Sequence, residues 1–361
     1  MNSVNKITVG LLCGGRSGEH EVSLISALNI FNALDREKYK VAVIGIEASG
    51  IWHLCWDDTF VLDHRDIQQS SLDLSKPIVV PTLNGEMIEK ASQKCLAKID
   101  VFFPITHGTY GEDGTIQGLA RTLNVPYVGA DIVGSAIAMD KDVSKRLLRD
   151  SGLPITPFIT ARTPHTISFE DASSHLGTPL FVKPCRLGSS LGVSKAVDQP
   201  TFEQAMKKAF QHDRKVIIEQ AIKGKEVECA VLGEKPPKAS QILGEIIPLK
   251  EFYSYEAKYV QKDGAKLLIP AELKSEVAQN IRQAAVSAFT ILECEGMARV
   301  DFFVKSDGSF IINEVNTLPG FTQISMYPKL WEASGFSLGQ LMDRLIGLAM
   351  ERFEKEKQLI F

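Results

Sequence analysis

Hydrophobic residues in the first third of the chain alternate between short apolar runs and helical stripes. The runs Ile7–Leu12 and Val41–Ile46 are typical of buried strands. Between them lies a stripe with the three-to-four-residue spacing of a helix, formed by Val22, Ile25, Leu28, Phe31 and Leu34. A strand, a helix and another strand are predicted further on, at Val101–Ile105, Thr115–Leu123 and Val125–Val128. This alternation predicts a doubly wound α/β domain with a parallel sheet over residues 1–129.

A different pattern after residue 129 predicts a second domain over 130–218. Its predicted elements are a helix at Ser135–Gly152, strands at Leu180–Lys183 and Gly192–Ala196 around a glycine- and serine-rich loop, Arg186–Leu191, and a helix at Phe202–Gln211. The strand Val216–Glu219 marks the passage to a third domain, to which we assign residues 219–361.

The third domain is predicted to contain a long polar segment, followed by a helix and two strands. The segment 250–262 has neither helical nor strand periodicity, which predicts a long loop. A helix at Glu272–Leu292 and strands at Met297–Val304 and Ser309–Val315 are predicted after it. The fold class is therefore α/β, with an α+β part at the C-terminal end.

Composition narrows the possible functions. The net charge of -4 gives no basic surface for nucleic acid, so small-molecule partners are expected. The six cysteines contain no CxxC pair, which argues against a zinc site and a disulfide framework. The chain has no signal-peptide pattern and no apolar run of the roughly 18 residues that a membrane helix needs. We expect a cytoplasmic protein with reduced thiols and no membrane partner.

The last two predicted strands bring polar residues together. Asp307-Gly308 between alternating apolar runs is a strong signal for a two-residue hairpin turn. If Ser306 pairs with Ser309, the pairing places four polar side chains on one face: Asp301 opposite Glu314, and Arg299 opposite Asn316. Two facing carboxylates repel unless a cation lies between them, and oxygen ligands of this kind suit magnesium. The alternative is an exposed, charged hairpin.

Three glycine-containing loops are further candidates. The segment from Lys183 to Gly192 can wrap phosphate oxygens with backbone N–H groups, although an ordinary flexible loop would have the same composition. The first βα turn, residues 14–18, lacks the GxGxxG spacing of a dinucleotide site. Glu19, just after it, can hold a substrate ammonium or simply favour the helix start. His107 opens a third polar turn, where it can bind substrate or serve a structural role.

In combination these segments resemble the D-alanine-D-alanine ligases of the ATP-grasp superfamily over essentially the whole chain. The segments that carry the resemblance are GGRSGEHEVSL, HGTYGEDGTIQG, MDKDVSK, VKPCRLGSSLGVSK, FYSYEAKY, ARVDFF and INEVNTLPGFTQISMYPKL. The resemblance implies a three-domain ATP-grasp fold with ATP between the second and third domains. It also implies that ATP phosphorylates the carboxylate of one D-alanine, after which the amine of a second D-alanine displaces phosphate. Ligation of this kind supplies peptidoglycan synthesis, and relatives are commonly homodimers.

The same resemblance assigns roles to residues. It implies that Asp301, Glu314 and Asn316 hold two Mg²⁺ or Mn²⁺ ions. The residues implied for ATP binding are Lys141, Lys183, Ser189, Ser190, Glu219, Glu226 and Lys258. Arg299 and the backbone N–H of Gly320 would stabilise the tetrahedral intermediate.

The D-alanine subsites follow from the resemblance as well. Glu19 would pair with the first ammonium, His107 would lie near the first carboxylate, and Ser325 with Met326 would receive the second carboxylate. Hydrogen bonds among Glu19, Ser189 and Tyr259 would link three domains and close the loop 250–262 over the site. A tyrosine at Tyr259 accompanies D-alanine as second substrate in this family.

Three alternatives remain open from the sequence. A sister ligase would use D-lactate, D-serine or an L-amino acid. A silent nucleotide-binding module would keep the fold without the chemistry, which the presence of Arg299 with the complete Asp301, Glu314 and Asn316 set disfavours. A dinucleotide-dependent oxidoreductase is the weakest alternative because its glycine fingerprint is absent. The segment between Trp52 and Lys98 has no function assigned.

Overall fold

The computed structural model describes residues 6–62, 69–248 and 265–360, and within these ranges three principal β-sheets organise the chain. The first third contains the following elements in order: β1 (Ile7–Gly14), α1 (His20–Ala33), β2 (Tyr39–Ile46), β3 (Trp52–Cys55), a 3₁₀ turn (Asp58–Phe60), β4 (Val61–Leu62), β5 (Ser71–Leu72), β6 (Ile78–Pro81), a 3₁₀ turn (Leu83–Gly85), β7 (Glu86–Glu89), β8 (Cys95–Lys98), β9 (Val101–Pro104) and α2 (Thr115–Thr122).

Helices cover both faces of the first sheet, whose strand order is β8-β7-β6-β3-β2-β1-β9. Strands β2, β1 and β9 are parallel. Leu24 and Ile30 of α1 pack against one face of them, and Ile116 and Ala120 of α2 pack against the other. The predicted doubly wound arrangement is therefore confirmed. The strand predicted at 125–128 is wrong, because this segment pairs with β9 only through an isolated bridge from Tyr127.

The segment between Trp52 and Lys98 builds the other half of this sheet. Strands β3, β6, β7 and β8 extend it in antiparallel fashion beyond β2. The short pair β4 and β5 lies beside it, and Leu72 packs closely against Gly45 of β2. The sheet is mixed rather than purely parallel, and the extension lies on the side of β2 away from β1 and β9.

The second sheet belongs to the middle of the chain and is wholly antiparallel, in the order β10-β13-β11-β12. Its region contains α3 (Ile132–Met139), α4 (Lys141–Asp150), β10 (Phe158–Ala161), α5 (Phe169–Leu176), β11 (Leu180–Pro184), β12 (Ser194–Ala196), α6 (Gln199–Phe210) and β13 (Val216–Gln220). The single helix predicted over 135–152 is wrong. Asp140 interrupts it and caps α4 by accepting from the N–H of Val143, so that α4 begins at Lys141.

The third sheet has the order β17-β16-β14-β18-β19, with β15 paired to β14. Its region contains β14 (Lys225–Leu232), β15 (Lys238–Ala239), β16 (Gly244–Pro248), β17 (Ala265–Leu268), α7 (Ser275–Ile291), β18 (Met297–Val304), β19 (Phe310–Asn316), α8 (Met326–Ala333) and α9 (Leu338–Glu356). Strand β13, predicted to open the third region, is paired within the second sheet instead. The predicted α+β character of this part is confirmed.

One apolar core joins the first and third regions. Leu11 and Phe103 of the first sheet belong to the same cluster as Phe321, Tyr327 and α9. Arg352 of α9 reinforces this contact by donating to the carbonyls of Tyr127 and Gly129 at 2.7 and 2.9 Å. In the part of the chain that the structure describes, no helix has the length and apolar character to cross a membrane. The six cysteines are unpaired.

Candidate active site

Two adjoining cavities lie where the three sheets meet. The smaller has a volume of about 110 Å³ and is lined mainly by residues of the first and third regions, including Glu19, His107 and Arg299. The larger, of about 770 Å³, lies between the second and third sheets. Both are lined by Gly188, Ser189 and Glu314. A group bound in one cavity is therefore close to a group bound in the other.

The β18–β19 hairpin places its polar residues as predicted, but by a different route. Arg299 lies opposite Asn316 and Asp301 opposite Glu314. The turn itself has three residues rather than two, since Lys305 N donates to Ser309 O. Gly308 adopts the left-handed φ of +87° that such a turn needs.

A β-bulge compensates for the longer turn. The pairing shifts by one residue between Asp301 and Phe302, so that Asn313 and Glu314 together face Asp301. The shift restores the predicted pairing at the functional end of the hairpin. It also turns both Asn313 and Glu314 toward the larger cavity, which both of them line. Asn313 was not predicted as a site residue.

A row of three carboxylates crosses the third sheet at this level. Glu228 of β14 lies opposite Asp301 of β18, which in turn lies opposite Glu314 of β19. Cross-strand partners share a face, so all three side chains point to the same side. Their side chains are 8%, 13% and 26% exposed, respectively. Such a row requires positive charge beside it.

Arg299 supplies part of that charge. Its Nε and Nη2 donate to the two oxygens of Asp301, each at 2.7 Å, and its Nε also lies 2.9 Å from Glu228 Oε2. Burial opposes the charge of the guanidinium, but Asp301 and Glu228 outweigh it and raise the pKa of Arg299 well above its ordinary value. Arg299 is therefore a fixed cation at the wall of the smaller cavity.

The donors around Asp301 suit a divalent cation in kind. Asp301, Glu314 and Asn316 offer carboxylate and amide oxygens, which magnesium prefers. Lys141 Nζ lies 3.4 Å from Glu314 Oε2. Asp301 already accepts two hydrogen bonds from Arg299 and one from Asn316 Nδ2 at 3.0 Å. A metal ion bound to Asp301 would therefore share its two oxygens with the guanidinium of Arg299.

Lysines converge on a buried glutamate at the base of the larger cavity. Glu219 Oε1 lies 2.8 Å from Lys145 Nζ, and Oε2 lies 2.5 Å from Lys183 Nζ. Burial opposes the charge of Glu219, yet the two lysines lower its pKa to about 2. Burial lowers the pKa of Lys145. Burial acts in the same direction on Lys183, but the nearby charge of Glu219 outweighs it and raises the pKa of Lys183. Lys183 and Glu219 line the cavity as a charged pair.

The glycine-rich loop after β11 contacts both cavities. Lys141 Nζ donates to the carbonyl of Leu187 at 2.7 Å, which attaches the loop to the start of α4. Ser189 and Ser190 have left-handed φ values of 51° and 59°, which are uncommon outside glycine. The hydroxyl of Ser189 donates to Glu19, 170 positions earlier in the chain. The loop thus links the second region to the first.

His107 is buried between two regions. Its Nδ1 lies 3.1 Å from the carbonyl of Leu318, and its Nε2 lies 3.2 Å from Ser26 Oγ. Since a carbonyl only accepts, Nδ1 carries the hydrogen and Nε2 accepts from Ser26. Burial lowers the pKa of His107 to about 4, which keeps the ring neutral. Both ring nitrogens are used within the protein, although the ring also lines the smaller cavity.

The loop from Thr317 to Ser325 forms the opposite wall. Ser26 Oγ accepts from Phe321 N at 3.2 Å, and Ser325 Oγ accepts from Thr322 N at 2.9 Å. A Cβ at Gly320 would lie 2.8 Å from Ser325 Oγ, so a larger residue there would displace the Ser325 hydroxyl. Ser325 precedes α8, whose N-terminus favours anions, and Met326 is its first residue.

Two predicted site residues, Lys258 and Tyr259, lie outside the described residues, as does the whole of the predicted loop 250–262.

Comparisons with known proteins agree on one family. The model described as the D-ala D-ala ligase N-terminus matches residues 8–130, and the D-ala D-ala ligase C-terminus matches 147–347. The chain belongs to the D-alanine-D-alanine ligase family. A D-alanine--D-alanine ligase of Shouchella clausii is 49% identical over 359 residues, which cover 98% of this chain and 97% of that protein.

Solved structures of this family have the same fold. The D-alanine-D-alanine ligase from Coxiella burnetii superposes with a TM-score of 0.86 at 37% identity, covering 98% of this chain and 97% of the other. The VanG D-Ala:D-Ser ligase from Enterococcus faecalis gives a TM-score of 0.82 at 33% identity, covering 96% and 100%. The family and the ATP-grasp fold predicted from the motifs are confirmed.

Three charged residues of this ligase fold were missed by the sequence analysis. Lys145 lies within the MDKDVSK segment, one helical turn after Lys141, and this spacing was an available signal. Glu112 lies within HGTYGEDGT, accepts from Gly108 N at 2.9 Å and lines the smaller cavity. Burial and the neighbouring Glu19 raise its pKa to about 8. Nothing in the local sequence could have indicated Glu228, because its place beside Asp301 depends on which strands are neighbours in the sheet.

Proposed function

We propose that this chain joins two D-alanines to D-alanyl-D-alanine at the expense of ATP, through a D-alanyl phosphate. The observation that carries the proposal is that two cavities adjoin at Ser189 and Glu314. The larger has cationic lysines for a nucleotide, and the smaller has a carboxylate, Glu19, and a guanidinium, Arg299, for an amino acid. This layout suits transfer of a phosphoryl group to a small carboxylate.

ATP would occupy the larger cavity. Lys141 and Lys183 would contact its phosphates, with Ser189 and Ser190 of the glycine-rich loop beside them. Glu219 and Glu226 line the same cavity and would face the adenine and ribose. We assign Lys258 to the γ-phosphate by family resemblance. Positioning and charge neutralisation would lower the barrier, since phosphoryl transfer needs little covalent help from the protein.

Two magnesium ions would be held by Asp301, Glu314 and Asn316. When bound, they would neutralise phosphate charge as it develops during transfer. Glu314 is the member of the set that lines both cavities, so its carboxylate would be available to ions from either side. Lys141, 3.4 Å from Glu314, balances part of the remaining negative charge.

The two D-alanines would lie in the smaller cavity. Glu19 would hold the first ammonium, and its position is fixed by the hydroxyl of Ser189. Arg299 and the N–H of Gly320 would stabilise the oxyanion of the tetrahedral intermediate. Ser325 and the N–H of Met326, at the start of α8, would receive the second carboxylate. His107 would act near the first carboxylate mainly by holding the Leu318 loop in place.

The segment 250–262 would close over both cavities. Tyr259 would complete the hydrogen bonding among the three regions and favour D-alanine as the second substrate. Closure would exclude water that otherwise hydrolyses the acyl phosphate. We propose a cytoplasmic homodimer, and light scattering of the purified protein would measure the oligomeric state.

The test is phosphate release from ATP and magnesium with D-alanine, beside L-alanine, D-lactate and D-serine, with each product identified by mass. We expect D-alanyl-D-alanine from D-alanine alone. A mixed product with D-lactate or D-serine would replace this proposal with a sister ligase. Absence of phosphate release with every acceptor, in protein that binds ATP, would contradict ligase activity altogether.

A further inference from the structure

Glu228 is a buried carboxylate without an assigned role in the proposed reaction. Taken as a whole residue it is 6% exposed, and it lies on β14, on the face that carries Asp301 and Glu314. Its Oε2 atom lies 2.9 Å from Arg299 Nε. It also lines the smaller cavity. Burial of a carboxylate at this depth is unfavourable without a compensating cation, and Arg299 is the cation at hand.

The carboxylate of Asp301 is a partner both for Arg299 and for the proposed magnesium ion. In the structure both of its oxygens accept from Arg299, at 2.7 Å each, and Asn316 also donates to Oδ2. A carboxylate that binds magnesium must direct oxygen lone pairs to the ion. The two-pronged contact with Arg299 and a metal contact would therefore use the same two oxygens, where the two cations repel each other.

If a metal ion binds Asp301, Arg299 needs a second anionic partner. A guanidinium that leaves Asp301 without one would be buried and uncompensated, which is costly. Glu228 is already in contact with Nε, whereas Glu314 lies across the sheet beyond Asp301 and faces Lys141. Nε carries a single hydrogen, which it donates to Asp301 in this arrangement. A small rotation of the guanidinium would redirect this hydrogen bond from Asp301 to Glu228.

We infer that Glu228 is a positioning residue that retains Arg299 at the wall of the smaller cavity when Asp301 binds magnesium. Arg299 then keeps its place beside the reacting carboxyl group while Asp301 turns its oxygens to the ion. This inference deepens the proposed function and rests on it for the role of Arg299. Its metal-binding consequence can be measured without D-alanine.

A double-mutant cycle on metal binding tests the inference. The variants are Glu228→Gln, Arg299→Gln and the double variant. Mn²⁺ is the probe, titrated by electron paramagnetic resonance with a non-hydrolysable ATP analogue present. We expect Glu228→Gln to weaken Mn²⁺ binding by about tenfold, because Arg299 then stays on Asp301. In the Arg299→Gln background the same change should alter binding by no more than about twofold, since the competitor is gone.

Two results would overturn the inference. An equally large loss of Mn²⁺ affinity from Glu228→Gln in both backgrounds would mean that Glu228 acts on the metal directly through its charge. No change in the wild-type background would mean that Arg299 does not depend on Glu228. If Glu228→Gln fails to fold, Glu228→Asp replaces it, because it keeps the charge but withdraws the carboxylate by one methylene.

The matched control is Glu245→Gln. Glu245 is also 6% exposed, forms an ion pair with Lys225 at 2.8 Å and lies on the neighbouring strand β16. It is opposite Val227, so its side chain is on the other face of the sheet from Glu228. Mn²⁺ binding should be unchanged in this variant. Ligation of D-alanine by the wild type is assayed separately, so a failure of the proposed function leaves the outcome of the metal cycle interpretable.

Discussion

The imidazole of His107 joins two loops that are 211 positions apart, by donating from Nδ1 to the carbonyl of Leu318 at 3.1 Å. The Leu318 loop carries Gly320, whose N–H we assign to the oxyanion. Ser26 completes the connection, since it lies between His107 Nε2 and Phe321 N. The geometry of the oxyanion site therefore depends on a side chain from the first region of the chain.

Replacing His107 by glutamine should destabilise the protein in a pH-dependent way. At pH 7.5 we expect a loss of about 1–3 kcal/mol of unfolding free energy, because buried hydrogen-bond partners lose their geometry. The folded state holds the pKa of His107 at about 4, below its ordinary 6.5. Between these two pH values the unfolded chain binds a proton at His107 that the folded chain does not. The contribution of neutral His107 to the free energy of unfolding is therefore complete above pH 6.5 and is lost as the pH falls toward 4.

Urea denaturation of the wild type and of His107→Gln at pH 7.5 and pH 5 measures this effect. The stability difference between the two proteins should shrink at pH 5. A difference of equal size at both values would contradict a neutral, buried His107. His165→Gln is the control, because His165 is exposed in the loop before α5.

Removing the hydroxyl of Ser189 should weaken binding of the first D-alanine. Ser189 donates to Glu19, so Ser189→Ala removes a hydrogen bond to a charged group. Such bonds contribute about 1.5–3 kcal/mol, so we expect KM for D-alanine to rise by about tenfold or more. ATP affinity should change less, and isothermal titration with the ATP analogue measures it. Ser194→Ala, in strand β12, is the control, and an equal effect there would contradict a specific role for Ser189.

Neutralising Glu314 should abolish turnover while the fold is kept. Glu314→Gln removes one of the two carboxylate charges in the proposed metal-binding set, and we expect the rate of phosphate release to fall by about a hundredfold or more. Circular dichroism should be unchanged, since the side chain is 26% exposed and lies in the cavity. Near-normal activity would overturn the metal assignment. Glu332→Gln, exposed on α8, should retain full activity.

Breaking the buried Lys145–Glu219 pair should reduce both stability and nucleotide binding. Lys145→Met leaves Glu219 with Lys183 alone in a buried environment, at an expected loss of about 3 kcal/mol. Lys183 would then be drawn toward Glu219 and away from phosphate, so affinity for the ATP analogue should fall. Urea denaturation and titration measure the two effects. Lys207→Met, on the exposed side of α6, should show neither.

Local signals in the sequence were sufficient for much of the fold and for the cross-strand pairing of the proposed metal-binding residues. The apolar runs around β1 and β2 and the stripe of α1 predicted those elements closely, because burial of one face imposes a period on hydrophobic residues. The predicted pairing of Asp301 with Glu314 is correct. The turn that motivated it has one residue more than expected, and the bulge at Asn313 cancels the error. Neither turn length nor bulge follows from alternation alone.

Helix boundaries and edge strands were predicted less well. Asp140 divides a continuous helical pattern into α3 and α4, because its side chain caps the second helix. Tyr127 lies where a strand was expected but forms a single bridge. The antiparallel half of the first sheet was not predicted either, since short strands with weak alternation resemble loops when no partner strand is known.

The sequence by itself determined the family, the fold class, the helices and strands with clear periodicity, and the residue types that suit a magnesium-nucleotide ligase. Only the tertiary structure decided which side chains come into contact. Strand order placed Glu228 beside Asp301, although 73 residues separate them in sequence, and packing of the first region on the third gave His107 its contact with Leu318. The physical reason is that periodicity reports which face of an element is buried, whereas side-chain partners depend on long-range packing that no local pattern specifies.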